Sequence, residues 1–483
     1  MLPLQYPQAL AVQSFHDPDS VIARVGLLVP RALTGLAMGF ANINFLPTLL
    51  DLYGASLMSE VPHQEHVQLD DVRRQGGGIG LWLGLWTWCY IGSLSIGFCI
   101  GACVIYALTP DWGFYLTITL LAMFLFVNII APETRQAPYR RSVIHVFDHE
   151  YMLKRRVANG EVHLHLYQTG PRWWFEEVWA GIVLSFRMIF QAGFFVMNLY
   201  FAWIYAQVVL VIILLGALLS RYYIWSSDLV GLASLAMAVG ALFAVPLTHG
   251  GFCSRSRTHP QRTDSMTLQH GGVKWTSHMV RRCIFTLVLP LAGLAYTLAS
   301  PGPDVSWIIP VVFVGLVGFL SNLAMTECIG LMMETFDTCD LQAGANNRHR
   351  ENSLPGNLQK VRTHYSAFPR VCAGFFASQS LGFMLAAAAT GVSGVVTRAI
   401  GAQVSTACVA GILLVLTILL LLTLLRWHTV QVVPDAVMTE NKPTDWRPVV
   451  LGNSSSKKRR MNLLETGQMS RWSEIRRLNG LEK

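Results

Sequence analysis

Charge is scarce in this chain: 13% of its 483 residues are Asp, Glu, Lys or Arg, about half of what a water-soluble protein carries. That scarcity excludes an ordinary soluble domain. Ten-residue stretches alternating apolar and polar are also missing, which excludes a transmembrane β-barrel. The nine cysteines contain no C-x-x-C pair, so neither a disulfide framework nor a zinc site is indicated. No phosphate loop of the form G-x-x-x-x-G-K-[ST] occurs, which argues against an ATP-driven pump and leaves an ion gradient as the energy source. No acids, histidines or nucleophile gather at one membrane depth, so the chain does not read as an enzyme. "HVFDHE" (145–150) and "HLH" (163–165) lie in a polar loop without fixed ligand geometry, and no metal or other cofactor is expected. Residues 1–24 are polar and contain proline, without the basic-then-apolar opening of a signal peptide.

What the chain does have is apolar residues, 53% of the total, gathered in blocks of about 20, the length that crosses a bilayer as a helix. Nine spans are predicted: 25–50, 79–108, 113–131, 193–219, 229–250, 283–299, 306–333, 371–396 and 403–425. The segment 178–190 mixes Trp179 and Arg187 with apolar residues, as an interfacial helix lying in the headgroups would. Of the 36 Lys and Arg residues, 31 fall in segments 51–78, 132–178, 251–282, 334–370 and 426–483. Positive charge marks the cytoplasmic side, so the C-terminal tail is expected there and the N-terminus outside. The tract "KKRR" (457–460) then reads as juxtamembrane charge meeting anionic lipid, not nucleic acid. By the same orientation the sequon "NSS" at 453 goes unused.

The organisation follows from loop lengths. A polar segment (1–24) leads into three spans (25–131), then a cytoplasmic loop with its interfacial helix (132–192). Six spans (193–425) and a basic tail (426–483) follow. Nested three-helix repeats are a common plan among secondary transporters, and six spans after a central loop suit one complete half.

Three short motifs bear on the family. Leu27-x-x-x-Arg31-x-x-Thr34-Gly35-x-Ala37 resembles the fourth-helix pattern of the major facilitator superfamily, with Thr34 where glutamine is usual. "GSLSIGFCIGA" (92–102) resembles the glycine-rich fifth-helix motif of its proton-coupled antiporters, with Phe98 where proline is usual. "APETR" (131–135) resembles the close of the sixth helix in its drug:proton antiporters. The runs 202–221 and 326–342 resemble fungal multidrug and polyamine carriers of that superfamily. The resemblance implies an all-α, major facilitator-like bundle, with three spans from the N-terminal half and six from the C-terminal half. It also implies that the counterparts of the first three family helices are absent from this sequence, through an incomplete gene model or a truncated paralogue.

Candidate site residues are the polar ones inside apolar blocks, since each must face protein or water. Arg31 either lines a cavity in a coupling role or snorkels to the outer headgroups. Gly35 and Gly39 would give it a close-packing face. Asn42 lies near the Arg31 face, and Pro47 interrupts the backbone ladder below it. Glu327, with Asn322 and Thr326, is polar within an apolar stretch. It would either exchange a proton or form a salt bridge that fixes the bundle, with Arg31 as one conceivable partner. Asn198, Tyr200, Trp203, Tyr205 and Gln207 make an aromatic and amide-rich helix suited to organic cations. Tyr200, Trp203 and Gln207 share a face. Gln379, with Phe375 and Phe376, would complete a pocket, whereas Trp82, Trp86 and Trp88 read as interfacial aromatics.

The expected function is proton-coupled secondary transport, an efflux of amphipathic or cationic organic compounds such as drugs or secondary metabolites, with polyamine transport as the alternative. A truncated, non-transporting membrane protein is the third reading. Expected partners are a small-molecule substrate, protons and the lipid bilayer. The chain is expected to be a monomer in the plasma membrane.

Overall fold

The computed structural model describes residues 1–14, 21–42, 45–53, 80–131, 165–166, 174–190, 192–249, 252, 255–258, 274–277, 279–337, 369–399, 401–427, 448–450, 460–462 and 464–465. Its membrane part is all helix. The helices are α1 (Leu2–Ser14), α2 (Val21–Asn42), α3 (Phe45–Tyr53), α4 (Gly80–Ala107), α5 (Trp112–Ile130) and α6 (Trp174–Ile189). They continue as α7 (Ala192–Arg221), α8 (Ser227–Ala244, extended by a 3-10 turn, Val245–Thr248), α9 (Met279–Ala299), α10 (Ile308–Asp337), α11 (Pro369–Ala399) and α12 (Ala402–Trp427). Outside the spans, three short two-stranded ladders occur, the longest pairing Arg255–Thr258 with Lys274–Ser277 antiparallel.

Eight helices, α4, α5 and α7–α12, are long and apolar enough to cross a membrane among the described residues. The region 25–50, expected to form one span, is divided between α2 and α3 and is not one of the eight. Two arginines, Arg24 and Arg31, dilute the apolar character of α2. Pro47, expected to interrupt the backbone ladder, is found near the start of a helix. It is the third residue of α3, where its missing N–H is no loss, because the first-turn donors of a helix have no internal partner.

The bundle is built around α7. This helix is predominantly apolar and largely buried, as a helix enclosed by others must be, whereas α5 buries none of its residues. Around it stand α11, α12 and α10. Beyond them α9 joins α10 to α12, and α8 lies between α10 and α4. Glycines permit the tightest crossing: a Cβ on Gly240 of α8 would run into the backbone carbonyl of Gly315 on α10. The segment 1–24 contributes α1, which packs on α2 and α5. There Gln5 Nε2 donates to Thr34 Oγ1 (3.3 Å), and the Thr34 hydroxyl donates to the carbonyl of Pro30 (2.8 Å). Helix α6 carries Phe175, Trp179 and Phe186 on its outside and buries Met188, while Ser185 Oγ donates to the Ala373 carbonyl of α11. Helix α6 thus buries one edge against α11 and leaves an aromatic stripe uncovered.

Candidate functional site

One aromatic cluster and an amide pair lie where α2 and α4 meet α7 and α11, and two further polar constellations lie elsewhere in the bundle. The aromatic cluster draws on three helices. Trp86 and Tyr90 come from α4, Phe201 and Tyr205 from α7, and Phe375 and Phe383 from α11. Trp86 stacks on Tyr90 (centroids 5.3 Å, 14° between planes), and Tyr90 stacks on Tyr205 (4.5 Å, 22°). Phe375 meets Trp86 edge-on at 5.0 Å, and Phe383 meets Tyr90 and Tyr205 edge-on at 5.9 and 5.6 Å. Offset stacks and edge contacts at these separations are the favourable ring geometries. The spacing is helical: 86 and 90, 201 and 205, and 375, 379 and 383 each repeat every four residues.

Beside the rings is an amide pair. Asn42, at the end of α2, donates through Nδ2 to Gln379 Oε1 of α11 at 3.1 Å. This contact joins residues 337 positions apart. Gln379 Nε2 is buried and has no hydrogen-bond partner among the described residues. Asn198 shares the Phe201–Tyr205 face of α7, is wholly buried, and has no partner on either amide atom among the described residues. Helices α7 and α11 run side by side in the same sense: Gly374 sits against Phe194, and Gly382 against Ala202 and Tyr205. Asn198 lies between those two contacts, near the level of Ser378 and Gln379.

The other predicted residues of α7 look the opposite way. Tyr200, Trp203 and Gln207 do share a face, and that face packs on α9 and α12. Tyr200 Oη donates to the Thr286 carbonyl (3.3 Å), Trp203 Nε1 donates to the Val409 carbonyl (3.0 Å), and Gln207 sits against Gly293. These contacts bind helices together within the bundle.

Glu327 lies at one of the two further polar constellations. Its Oε1 is 2.5 Å from Arg281 Nε and its Oε2 is 3.3 Å from Arg282 Nε, with all three side chains buried. Arg281 also donates to the carbonyls of Thr248 (3.1 Å), His249 (2.7 Å) and Phe252 (3.2 Å), closing the end of α8. Its guanidinium rests 5.6 Å from the Phe285 ring centroid. Glu327 therefore ties α10 to the first turn of α9. It stands about 10 Å from the middle of its span at helical rise, towards the end expected to be cytoplasmic. Arg31 is on the outside of α2 and makes no ion pair among the described residues. A Cβ placed on Gly35 or Gly39 would meet nothing within 4 Å, so the glycine face expected beside Arg31 is uncovered.

Asn322 and Thr326 belong to a relay between α4, α10 and α8. Asn322 Nδ2 donates to the Ala241 carbonyl at 2.6 Å. Thr326 Oγ1 is 3.2 Å from Asn322 Oδ1 and 3.3 Å from Thr87 Oγ1. Its single proton serves one of these at a time.

Sequence reasoning missed Trp86, Tyr90, Phe201, Phe383, Arg281 and Arg282 as site residues. The four-residue repeat of rings on α4 was the available signal for the first two. Two arginines at the very start of a span were the signal for the last two, read only as topology. A scan against known protein families and a search of curated proteins each return no match.

Proposed function

We propose that the chain is a secondary active transporter of small amphipathic organic molecules, coupled to protons. In this reading the fold is a major facilitator-like bundle in the plasma membrane with a cytoplasmic C-terminal tail, and α2 is the first of nine spans. The observation that carries the reading is the aromatic and amide cluster between α2 and α4 on one side and α7 and α11 on the other. A carrier that rocks two helix groups holds its cargo at their junction. Rings and amides supply apolar surface together with a few orienting polar groups, the composition of a small-molecule site. Opening the bridge from Glu327 to Arg281 and Arg282 would loosen α9 from α10. That gives an ion gradient a lever on the bundle.

The test is the purified chain in vesicles with a pH dye trapped inside, challenged with ethidium, spermidine and 2-quinolone. A compound-dependent pH change that protein-free vesicles lack supports the carrier. Silence with every compound, together with no gradient-driven accumulation, overturns it. Intact gradient-driven flux in a folded Glu327→Gln variant would remove Glu327 from the mechanism.

A further inference from the structure

Asn198 is the least explained side chain of the bundle. Burying an amide without hydrogen bonds is unfavourable, and a leucine would keep the same branching at that position without the cost. Gln379 repeats the pattern one helix away: its Oε1 is engaged by Asn42, and its Nε2 donor is buried and unbonded among the described residues. Two amides with spare donors and acceptors therefore flank one helix–helix seam.

Next to the seam stands a stack of three rings, Trp86 on Tyr90 on Tyr205. Its last step crosses from α4 to α7. Flat faces meet flat faces there, so a planar guest entering between Tyr90 and Tyr205 would replace one ring contact by two of the same kind. Phe375 and Phe383 close the edges.

Charge narrows the guest further. Among the described residues only two carboxylates lie in the spans. Asp228 is in the first turn of α8, and Glu327 is paired with Arg281 and Arg282 at another helix junction. Neither belongs to the ring and amide cluster. Among the described residues a polyamine, with several ammonium groups, would find no counterion at the cluster, and cation–π contact alone is a weak substitute.

From this we infer that the cluster binds a flat, uncharged aromatic molecule carrying a lactam-like N–H and C=O, and that it does not bind polyamines. The inference rests on the reading of this cluster as the cargo site. The ring enters between Tyr90 and Tyr205. Gln379 Nε2 donates to the guest carbonyl, and Asn198 Oδ1 accepts from the guest N–H.

The experiment is equilibrium binding of radiolabelled 2-quinolone and phenanthridin-6-one to the purified full chain in detergent. Spermidine serves as competitor, and Asn198→Leu and Gln379→Met as variants. The expected result is saturable binding of at least one lactam, unaffected by a hundredfold excess of spermidine and weakened at least tenfold in each variant. Asn198→Leu should also melt at or above the parent temperature, because an unbonded amide is replaced by an apolar side chain. A merely structural Asn198 would instead lower the melting temperature. Absence of saturable binding by both lactams, competition by spermidine, parent-like affinity in both variants, or an Asn198→Leu chain that melts early would each overturn the proposal. The measurement needs no gradient, so its failure is separable from that of the carrier reading. Spermidine-driven flux in vesicles without lactam binding would sink the substrate class and leave transport standing.

Discussion

Replacing Glu327 by glutamine keeps the shape of the side chain and removes one charge from between two arginines. At an effective dielectric of about 20, opposite charges roughly 4 Å apart attract by ~4 kcal/mol. Glu327 makes two such pairs, and the desolvation cost of its buried carboxylate, which glutamine is spared, offsets about one of them. The remainder, ~4 kcal/mol, matches the ~3–5 kcal/mol typical of breaking a buried pair from one side. Glutamine can still accept one hydrogen bond, so the lower end, ~3 kcal/mol, is expected. The assay is reversible unfolding of the purified chain in mixed micelles, followed by helical circular dichroism. A loss under ~1 kcal/mol, the range of an exposed pair, would refute the burial and the pairing on which the reasoning depends. The control is the triple replacement of Arg281, Arg282 and Glu327 by methionine. Removing every charge together should recover much of the loss, because an apolar cluster of similar volume carries no desolvation penalty.

Three further outcomes are expected. Thr87→Val and Thr326→Val should each cost about 1 kcal/mol or less, with a coupling energy near ~0.6 kcal/mol in the double variant, as for polar contacts between membrane helices. Strict additivity in the same unfolding assay would show that the two hydroxyls do not interact. Gly240→Ala should lower stability by ~1–3 kcal/mol or prevent folding, since the new methyl meets the Gly315 carbonyl, whereas Gly97→Ala, with nothing within 4 Å, should be close to neutral. A parent-like melt for Gly240→Ala would contradict the α8–α10 crossing. For topology, a C-terminal fluorescent protein should light up in bacteria and a C-terminal alkaline phosphatase should stay inactive. The reverse pattern would invert the bundle.

The chain's class was legible from composition because a membrane span is a one-dimensional signal: a block of apolar residues of set length. Eight of the nine expected spans appear as helices of that kind. The exception, 25–50, contains Arg31, Asn42, Asn44 and Pro47, the residues that made it interesting as a site. Periodicity also grouped side chains correctly on α7. It could not say what each group would meet, since that depends on which helices close around α7. Tyr200, Trp203 and Gln207 were grouped as a cargo face and meet α9 and α12 instead. Trp86 was assigned to the lipid interface from its residue type, and it packs against Tyr90 and Phe375. The pairing of Asn42 with Gln379 spans most of the chain, and no local pattern encodes such a contact. Both residues were nevertheless singled out by one rule, that a polar side chain in an apolar block needs a partner.

The distribution of bonds around α4 separates two kinds of contact. Against α8 it is fastened by hydrogen bonds and glycine crossings. Trp88 Nε1 donates to the Ala238 carbonyl (3.0 Å), Ser234 Oγ to the Ser95 carbonyl (3.4 Å), and Gly231 lies against Cys99 and Ala102. Against α7 and α11 it makes the ring contacts of Trp86 and Tyr90. Hydrogen bonds to backbone carbonyls resist sliding because their geometry is narrow, whereas ring stacks tolerate displacement and are remade by any flat partner. Helix α7 shows the same division on its own surface. Its Tyr200 and Trp203 side is bonded to carbonyls of α9 and α12, and its Asn198 amide, on the Tyr205 side, is unbonded among the described residues. The faces that hold the bundle together are thus hydrogen-bonded to backbone. The side where α2 and α4 meet α7 and α11 is instead built from rings, the Asn42–Gln379 bond and spare amide capacity. If it is the cargo site proposed above, this is the face that would part for a guest while the backbone-bonded faces of α4 and α7 stay closed.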